Sequence, residues 1–265
     1  MITSNAVKAR LGDGGTSLGS FCLEFSTRGI GRLAAEAGAE FMIYDMEHTG
    51  WGTETIAWLV ATSGPGLEPI VRVPSIEANS IAPVLDVGAA GIMVPTVASA
   101  DHARAIVAAA KYPPLGSRGS VFGMAAGGYA PPTDPAEEMR AADAETLLIA
   151  QIETVAGLEH LDEIAAVEGV DVLWLGQADL TASLGKPGRF DAPELLDALA
   201  RVSDAAERNG KAAGYLALSV DEGRRMLGLG YRMLAYGGDL WLYQASLREG
   251  LERLRPAPSG DGRER

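Results

Sequence analysis

The feature that most constrains this chain is an eightfold alternation. Short apolar runs recur at 20–25, 41–44, 69–71, 91–94, 147–152, 172–175, 212–216 and 232–235. After them come longer stretches of helical period at 30–37, 53–62, 78–87, 100–111, 155–167, 193–209, 220–229 and 240–254. Apolar runs of that length suit strands buried on both faces, as in parallel sheets. Eight strand–helix pairs over about 250 residues is the size and rhythm of a single-domain α/β fold, the (β/α)8 TIM barrel. The competing doubly wound open sheet usually shows a G-x-G-x-x-G turn after its first strand. None follows any strand here.

The barrel is expected over 18–255, after a polar, Gly-rich segment at 1–17. A connection at 113–146 breaks the rhythm, with Pro113-Pro114, Gly127-Gly128 and Pro131-Pro132. A loop this long is functional or holds a helix of its own, and the charged, Ala-rich stretch 134–144 can supply one. The tail 256–265 is polar without apolar period and is expected to be disordered. Asp191 and Glu194 have capping-box spacing, Pro193 fits a first turn, Gly210 follows a last turn, and Ser99 and Thr154 suit N-caps.

Composition removes several function classes. Lys+Arg is 22 against Asp+Glu 35 in 265 residues, a net charge of −13. Such a surface repels phosphate backbones and anionic lipid, so no nucleic-acid or membrane partner is expected. No apolar run approaches the ~18 residues of a membrane span. The one cysteine, Cys22, lies between Phe21 and Leu23 and reads as a core thiol of a reduced, cytoplasmic protein.

Barrel chemistry sits where strands end and βα loops begin. Polar residues at those points are Asp45, Glu47 and His48 after the second strand, Arg72 at the third, Gln151 and Glu153 at the fifth, and Asp179 after the sixth. Glu153 and Asp179 are hard oxygen donors suited to octahedral Mg²⁺ or Mn²⁺; the alternative is that they cap a helix and a turn. Arg72 can clamp a carboxylate or stabilise an oxyanion, or serve as a salt bridge across the mouth. Asp45, three residues before His48, can orient its imidazole and raise its basicity, unless His48 is a capping or buried structural residue. His102 and His160 fall on predicted helices and read as solvent-facing. A divalent cation, a guanidinium and an Asp–His pair together suit proton transfer or C–C bond chemistry beside a carbonyl. No Lys ends a strand, which argues against a Schiff-base aldolase.

At these residues the chain resembles the HpcH/HpaI aldolase family, the metal-dependent class II pyruvate aldolases. The resemblance spans about 19–254. It is carried by Tyr44-Asp45-Met46-Glu47-His48, Val71-Arg72-Val73-Pro74, Leu85-Asp86-Val87-Gly88-Ala89, Gly91-Ile92-Met93-Val94-Pro95, Tyr112-Pro113-Pro114-Leu115-Gly116-Ser117-Arg118-Gly119, Gln151-Ile152-Glu153-Thr154 and Gly176-Gln177-Ala178-Asp179-Leu180. It implies that Glu153 and Asp179 ligate the metal (Mg²⁺, Mn²⁺ or Co²⁺), which a pyruvate-like 2-oxo acid chelates through its keto oxygen and carboxylate. Backbone amides around Gly176, Gln177 and Ala178 hold that carboxylate, Gln151 bonds near the substrate, Arg72 stabilises the enolate oxygen, and His48 with Asp45 acts as base through a metal-bound water. The implied reaction is reversible cleavage of a 4-hydroxy-2-oxo acid to pyruvate, or a close analogue, plus an aldehyde. The resemblance also implies a homohexamer with the last helix exchanged, and places Asp86 at the subunit boundary. Gln177 stands where many members carry Pro. The segment 121–129 differs from the sugar-acid aldolases where the acceptor pocket is expected to be lined or covered, leaving the aldehyde open. The same enolate site can serve a 2-oxo acid decarboxylase or carboligase, and a non-catalytic 2-oxo acid binder is a third alternative.

Overall fold

The computed structural model describes residues 2–255; the expected disordered tail lies outside them. Eight strands run parallel in chain order: β1 (Ser17–Cys22), β2 (Phe41–Asp45), β3 (Glu68–Arg72), β4 (Gly91–Val94), β5 (Leu147–Ile152), β6 (Val172–Leu175), β7 (Ala212–Ala217) and β8 (Tyr231–Gly238). β8 pairs back onto β1, so the sheet closes. Helix α1 (Ala6–Gly12) precedes β1. α2 (Ile30–Glu36), α3 (Thr53–Thr62), α4 (Ala78–Asp86) and α5 (Ala100–Ala110) follow β1 to β4, and α6 (Pro135–Glu145) lies in the long connection. α7 (Val155–Glu159) and α8 (Leu161–Ala165) follow β5, α9 (Gln177–Ser183) and α10 (Pro193–Arg208) follow β6, and α11 (Val220–Gly228) and α12 (Asp239–Leu254) follow β7 and β8. This is the single-domain TIM barrel that the alternation implies.

Period-two alternation sorts the strand residues into two cores. Phe41, Ile43, Ile70, Leu147, Ile149, Val172 and Trp174 fill the barrel interior. Their neighbours Met42, Tyr44, Val71, Leu148, Ala150, Leu173 and Leu175 pack outward with the helices. The inward row continues up each strand to Asp45, Arg72, Gln151, Glu153 and Gly176. An apolar interior therefore carries a polar upper layer at the mouth.

Several local expectations are corrected. The segment before the barrel is not merely polar: α1 places Val7 and Leu11 in the interior core, below the first strand residues. β1 starts at Ser17 rather than 20 and stops at Cys22, because the next three amides turn onto a carboxylate: Leu23, Glu24 and Phe25 N–H donate to Asp239 at 2.7–2.9 Å. The helix expected at 155–167 divides at His160, whose φ −100° and ψ 16° leave the helical region. Asp191 and Glu194 do not form a capping box. α10 is entered from Ala192 without a side-chain cap; Asp191 pairs with Arg189, and Glu194 with Lys186. Ser99 and Thr154 do cap α5 and α7. Asp134 caps α6, so the long connection holds the helix expected there. The 121–127 part of that connection lies away from the mouth of its own barrel. It lines a cavity of about 270 Å³ with Leu67, Glu68 and Ala90, at the strands' N-terminal ends. Among the described residues no helix is long and apolar enough to cross a membrane.

Candidate active site

Asp45 and Arg72 end their strands and are register partners across β2 and β3. Arg72 Nε donates to Asp45 Oδ1 and Nη2 to Oδ2, each at 2.8 Å. Asp45 is wholly buried and Arg72 is 8% exposed. A buried bidentate pair holds the guanidinium plane in one orientation. Arg72 Nη1 also lies 3.3 Å from Glu47 Oε2.

The expected pairing of Asp45 with the His48 imidazole is not formed. The Asp45 oxygens accept instead from the backbone N–H groups of Glu47 (2.9 Å) and His48 (3.3 Å), closing a turn at the end of β2. With two further bonds from Arg72, this carboxylate is saturated. The His48 side chain is 55% exposed, and its Nε2 lies 3.6 Å from Glu47 Oε2. His160 is solvent-exposed, as expected, but His102 is half-buried, its Nδ1 accepting from Ala98 N–H.

Glu153 and Gln151 are buried at the end of β5. Glu153 Oε1 accepts from Thr96 N–H at 2.7 Å, and Oε2 accepts from the Gln151 side-chain amide. Thr96 stands at φ +52°, uncommon for a β-branched residue. Val97 N–H bonded to the Gln151 carbonyl oxygen holds that loop in place. Strain of this kind gathers at functional sites. Since the Gln151 amide group must face a carboxylate, its Oε1 is the free end, buried and without a hydrogen-bond partner. Thr154, not Glu153, caps the following helix, so the capping alternative for Glu153 does not hold.

Gly176 and α9 complete the rim. α9 is not among the helices expected from the sequence. Gln177 opens the helix and sends its amide to the Leu216 carbonyl at the end of β7 (2.9 Å). Ala178 and Asp179 are exposed in the first turn. Gly176 is required by contact rather than by conformation. A Cβ there would meet Glu153 Oε2 at 2.5 Å and Gln151 Nε2 at 2.8 Å.

One guanidinium thus faces Asp45, Glu47 and Glu153. Burial pushes the Glu153 carboxyl up to about 7, the Thr96 N–H bond opposes this, and the Glu47 and Asp179 charges add to it. Glu47 is likewise raised, first by burial, with Arg72 and His48 opposing. Carboxylates that raise one another's affinity for protons lack a counter-cation. Hard oxygens with excess negative charge, partly open to solvent through Asp179, fit a divalent cation such as Mg²⁺ or Mn²⁺. Among the described residues no group of three or more His, Cys, Asp or Glu side chains is gathered as a metal cluster, so the fit rests on this carboxylate set. Two participants escaped a sequence assignment. Glu47 was visible after β2 but carried no role; Thr96 acts through its backbone, for which sequence carries no signal.

A closed barrel whose strand ends gather carboxylates around one guanidinium has the make of a barrel enzyme acting on a small oxyanionic substrate. The chain belongs to the HpcH/HpaI aldolase/citrate lyase family, whose model matches residues 28–245. It is 38% identical to a 4-hydroxy-2-oxovalerate aldolase of Novosphingobium aromaticivorans, over 97% of each chain. It is 35% identical to a hydroxypyruvate/pyruvate aldolase of Paraburkholderia phytofirmans, over 95% of this chain and 98% of that one. Among solved structures, an HpcH/HpaI aldolase from Desulfitobacterium hafniense matches with a TM-score of 0.91 at 31% identity, covering 97% of this chain and 99% of that one.

Proposed function

We propose that this protein is a divalent-metal-dependent aldolase that cleaves a 4-hydroxy-2-oxo acid to pyruvate or hydroxypyruvate and an aldehyde, and runs the reverse addition. The observation that carries this reading is the buried Glu153 carboxylate, held by Thr96 and Gln151 and raised in proton affinity beside Asp179 and Glu47. Relatives over nearly the whole chain bear aldolase names that specify such substrates.

Glu153 and Asp179 would hold the cation, Mg²⁺, Mn²⁺ or Co²⁺. Once bound, the cation supplies Lewis-acid polarisation of the substrate's keto group. The first-turn amides of α9, at Gln177, Ala178 and Asp179, offer donors to the substrate carboxylate. Arg72, fixed by Asp45, presents a preorganised positive charge to the oxygen that becomes the enolate. The free Gln151 Oε1 accepts a hydrogen bond at the site. His48, exposed at the mouth, takes and returns the proton that C–C cleavage and addition require. The same reading includes a cytoplasmic homo-oligomer, a hexamer in the family pattern. α12 supports assembly: Trp241, Tyr243, Leu247 and Leu251 are exposed along it, and Asp239 is its one buried residue among the described residues.

The test is release of pyruvate from 4-hydroxy-2-oxo acids, with and without chelator. Loss of turnover on chelation, restored by Mg²⁺ or Mn²⁺, and its abolition in Glu153→Ala are expected. Turnover indifferent to both would overturn the proposal.

A further inference from the structure

The turn from β4 into α5 is anchored on both sides of Thr96. Pro95 is buried, and its ring sets its φ. Val97 N–H donates to the Gln151 carbonyl oxygen at 3.1 Å. Gly157 of α7 seats against the Val97 carbonyl oxygen, where a Cβ would come to 2.7 Å. Between these anchors Thr96 takes φ +52°, which strains a β-branched residue and which glycine would adopt freely. Such strain persists only where the surroundings impose it. The Thr96 side chain does not account for it. That side chain is exposed, and its hydroxyl makes no hydrogen bond among the described residues. What the left-handed turn does achieve is the direction of one N–H, which donates to Glu153 Oε1 at 2.7 Å. With Oε1 tied to the β4 side, Oε2 faces the end of β6. A Cβ at Gly176 would meet it there at 2.5 Å, and Asp179 follows in the first turn of α9.

We infer that Thr96 is a positioning residue acting through its main-chain N–H. It fixes the rotation of the Glu153 carboxylate, so that Oε2 is the oxygen offered, with Asp179, to the divalent cation. The Gln151 side-chain amide, donating to Oε2, holds the same rotation from below. Partners of this kind orient a ligand and tune its affinity for metal. This role rests on the metal-dependent aldolase reading above, and it assigns part of the metal affinity to the backbone of a strained turn rather than to any side chain.

The experiment measures Mn²⁺ binding without substrate, from the electron paramagnetic resonance signal of the free ion, so it reads affinity and not turnover. Wild type, Thr96→Gly, Thr96→Val and Glu153→Gln are compared with protein carrying the α-hydroxy analogue of valine at position 96. That analogue differs from Thr96→Val in having an ester oxygen in place of the N–H. The ester should bind Mn²⁺ roughly tenfold to a hundredfold more weakly than Thr96→Val. Thr96→Gly keeps the N–H and should stay within about threefold of wild type. Selective ¹⁵N labelling of threonine gives a readout that needs no metal. The Thr96 amide proton, donating to a carboxylate, should resonate downfield in wild type and move upfield in Glu153→Gln. An ester that binds Mn²⁺ as well as Thr96→Val, a Thr96→Gly as weak as the ester, or an amide shift indifferent to Glu153 would each overturn the assignment. Wild-type protein that binds no Mn²⁺, or binds it equally in Glu153→Gln, would overturn the metal reading itself, and the amide shift would still decide whether Thr96 holds Glu153.

Discussion

Gly176→Ala tests the site geometry with a single methyl group. The backbone at 176 has φ −92° and ψ 90°, open to any residue, so conformation does not obstruct alanine. Contact does. The added carbon would lie 2.5 Å from Glu153 Oε2 and 2.8 Å from Gln151 Nε2 and Glu153 Cβ. Ordinary contact begins near ~3.4 Å, so the carboxyl must retreat by roughly 1 Å. Overpacking of this kind costs about 1–3 kcal/mol, which lowers Tm by roughly 2–10 °C at this chain length. A displacement of about 1 Å in a reacting group costs on the order of a hundredfold in rate. The variant should therefore remain folded, with a small fall in Tm by calorimetry. Its pyruvate release, followed by a coupled NADH assay, should drop by about two orders of magnitude, with a weakened metal activation constant. Activity within a few-fold of wild type at an unchanged metal constant would refute the placement of Glu153 against Gly176.

Two further outcomes concern the same site, and a third the packing of β1. Glu153 has a folded pKa raised from its ordinary 4.5 to about 7, so the native state holds a proton that the unfolded chain has released between those values. Metal-free protein should therefore lose stability as pH rises from about 4.5 to 7, by roughly 3 kcal/mol in all. Thermal melts should show a steeper slope in wild type than in Glu153→Gln, with Mg²⁺ restoring the wild-type Tm at the upper end; equal slopes in the two would count against it. Arg72→Ala leaves Asp45 charged and buried, and should cost on the order of 3–5 kcal/mol together with nearly all turnover; chemical denaturation that shows less than about 1 kcal/mol would mean the pair is exposed in solution. Burial and the adjacent Asp239 raise the Cys22 thiol, so native protein should resist thiol reagents at mildly alkaline pH and label only when denatured. Rapid native labelling would contradict the packing of β1 against the start of α12.

How far the sequence reached can be argued residue by residue. Seven of the eight apolar runs coincide closely with strands, because a strand buried on both faces must be apolar throughout. The run at 20–25 was displaced because residues 23–25 satisfy their N–H groups on Asp239, far away in sequence. The functional positions at the strand ends were visible because a polar residue directly after a buried run has few other places to go. Asp45, Arg72, Gln151 and Glu153 do gather in the upper layer of the barrel.

The sequence by itself determined the barrel, since eight apolar runs separated by amphipathic stretches have few other ways to bury their surface. It also determined which acidic, basic and imidazole groups reach the mouth, since period-two alternation and strand ends are local properties. Only the tertiary structure decided who pairs with whom. The distance of three residues between Asp45 and His48 suggested a dyad, but strand register set Arg72 beside Asp45, and Arg72 with two backbone N–H groups filled that carboxylate. Partnership among charges depends on which donors arrive from other strands, and that is settled by register and burial, not by spacing along one segment.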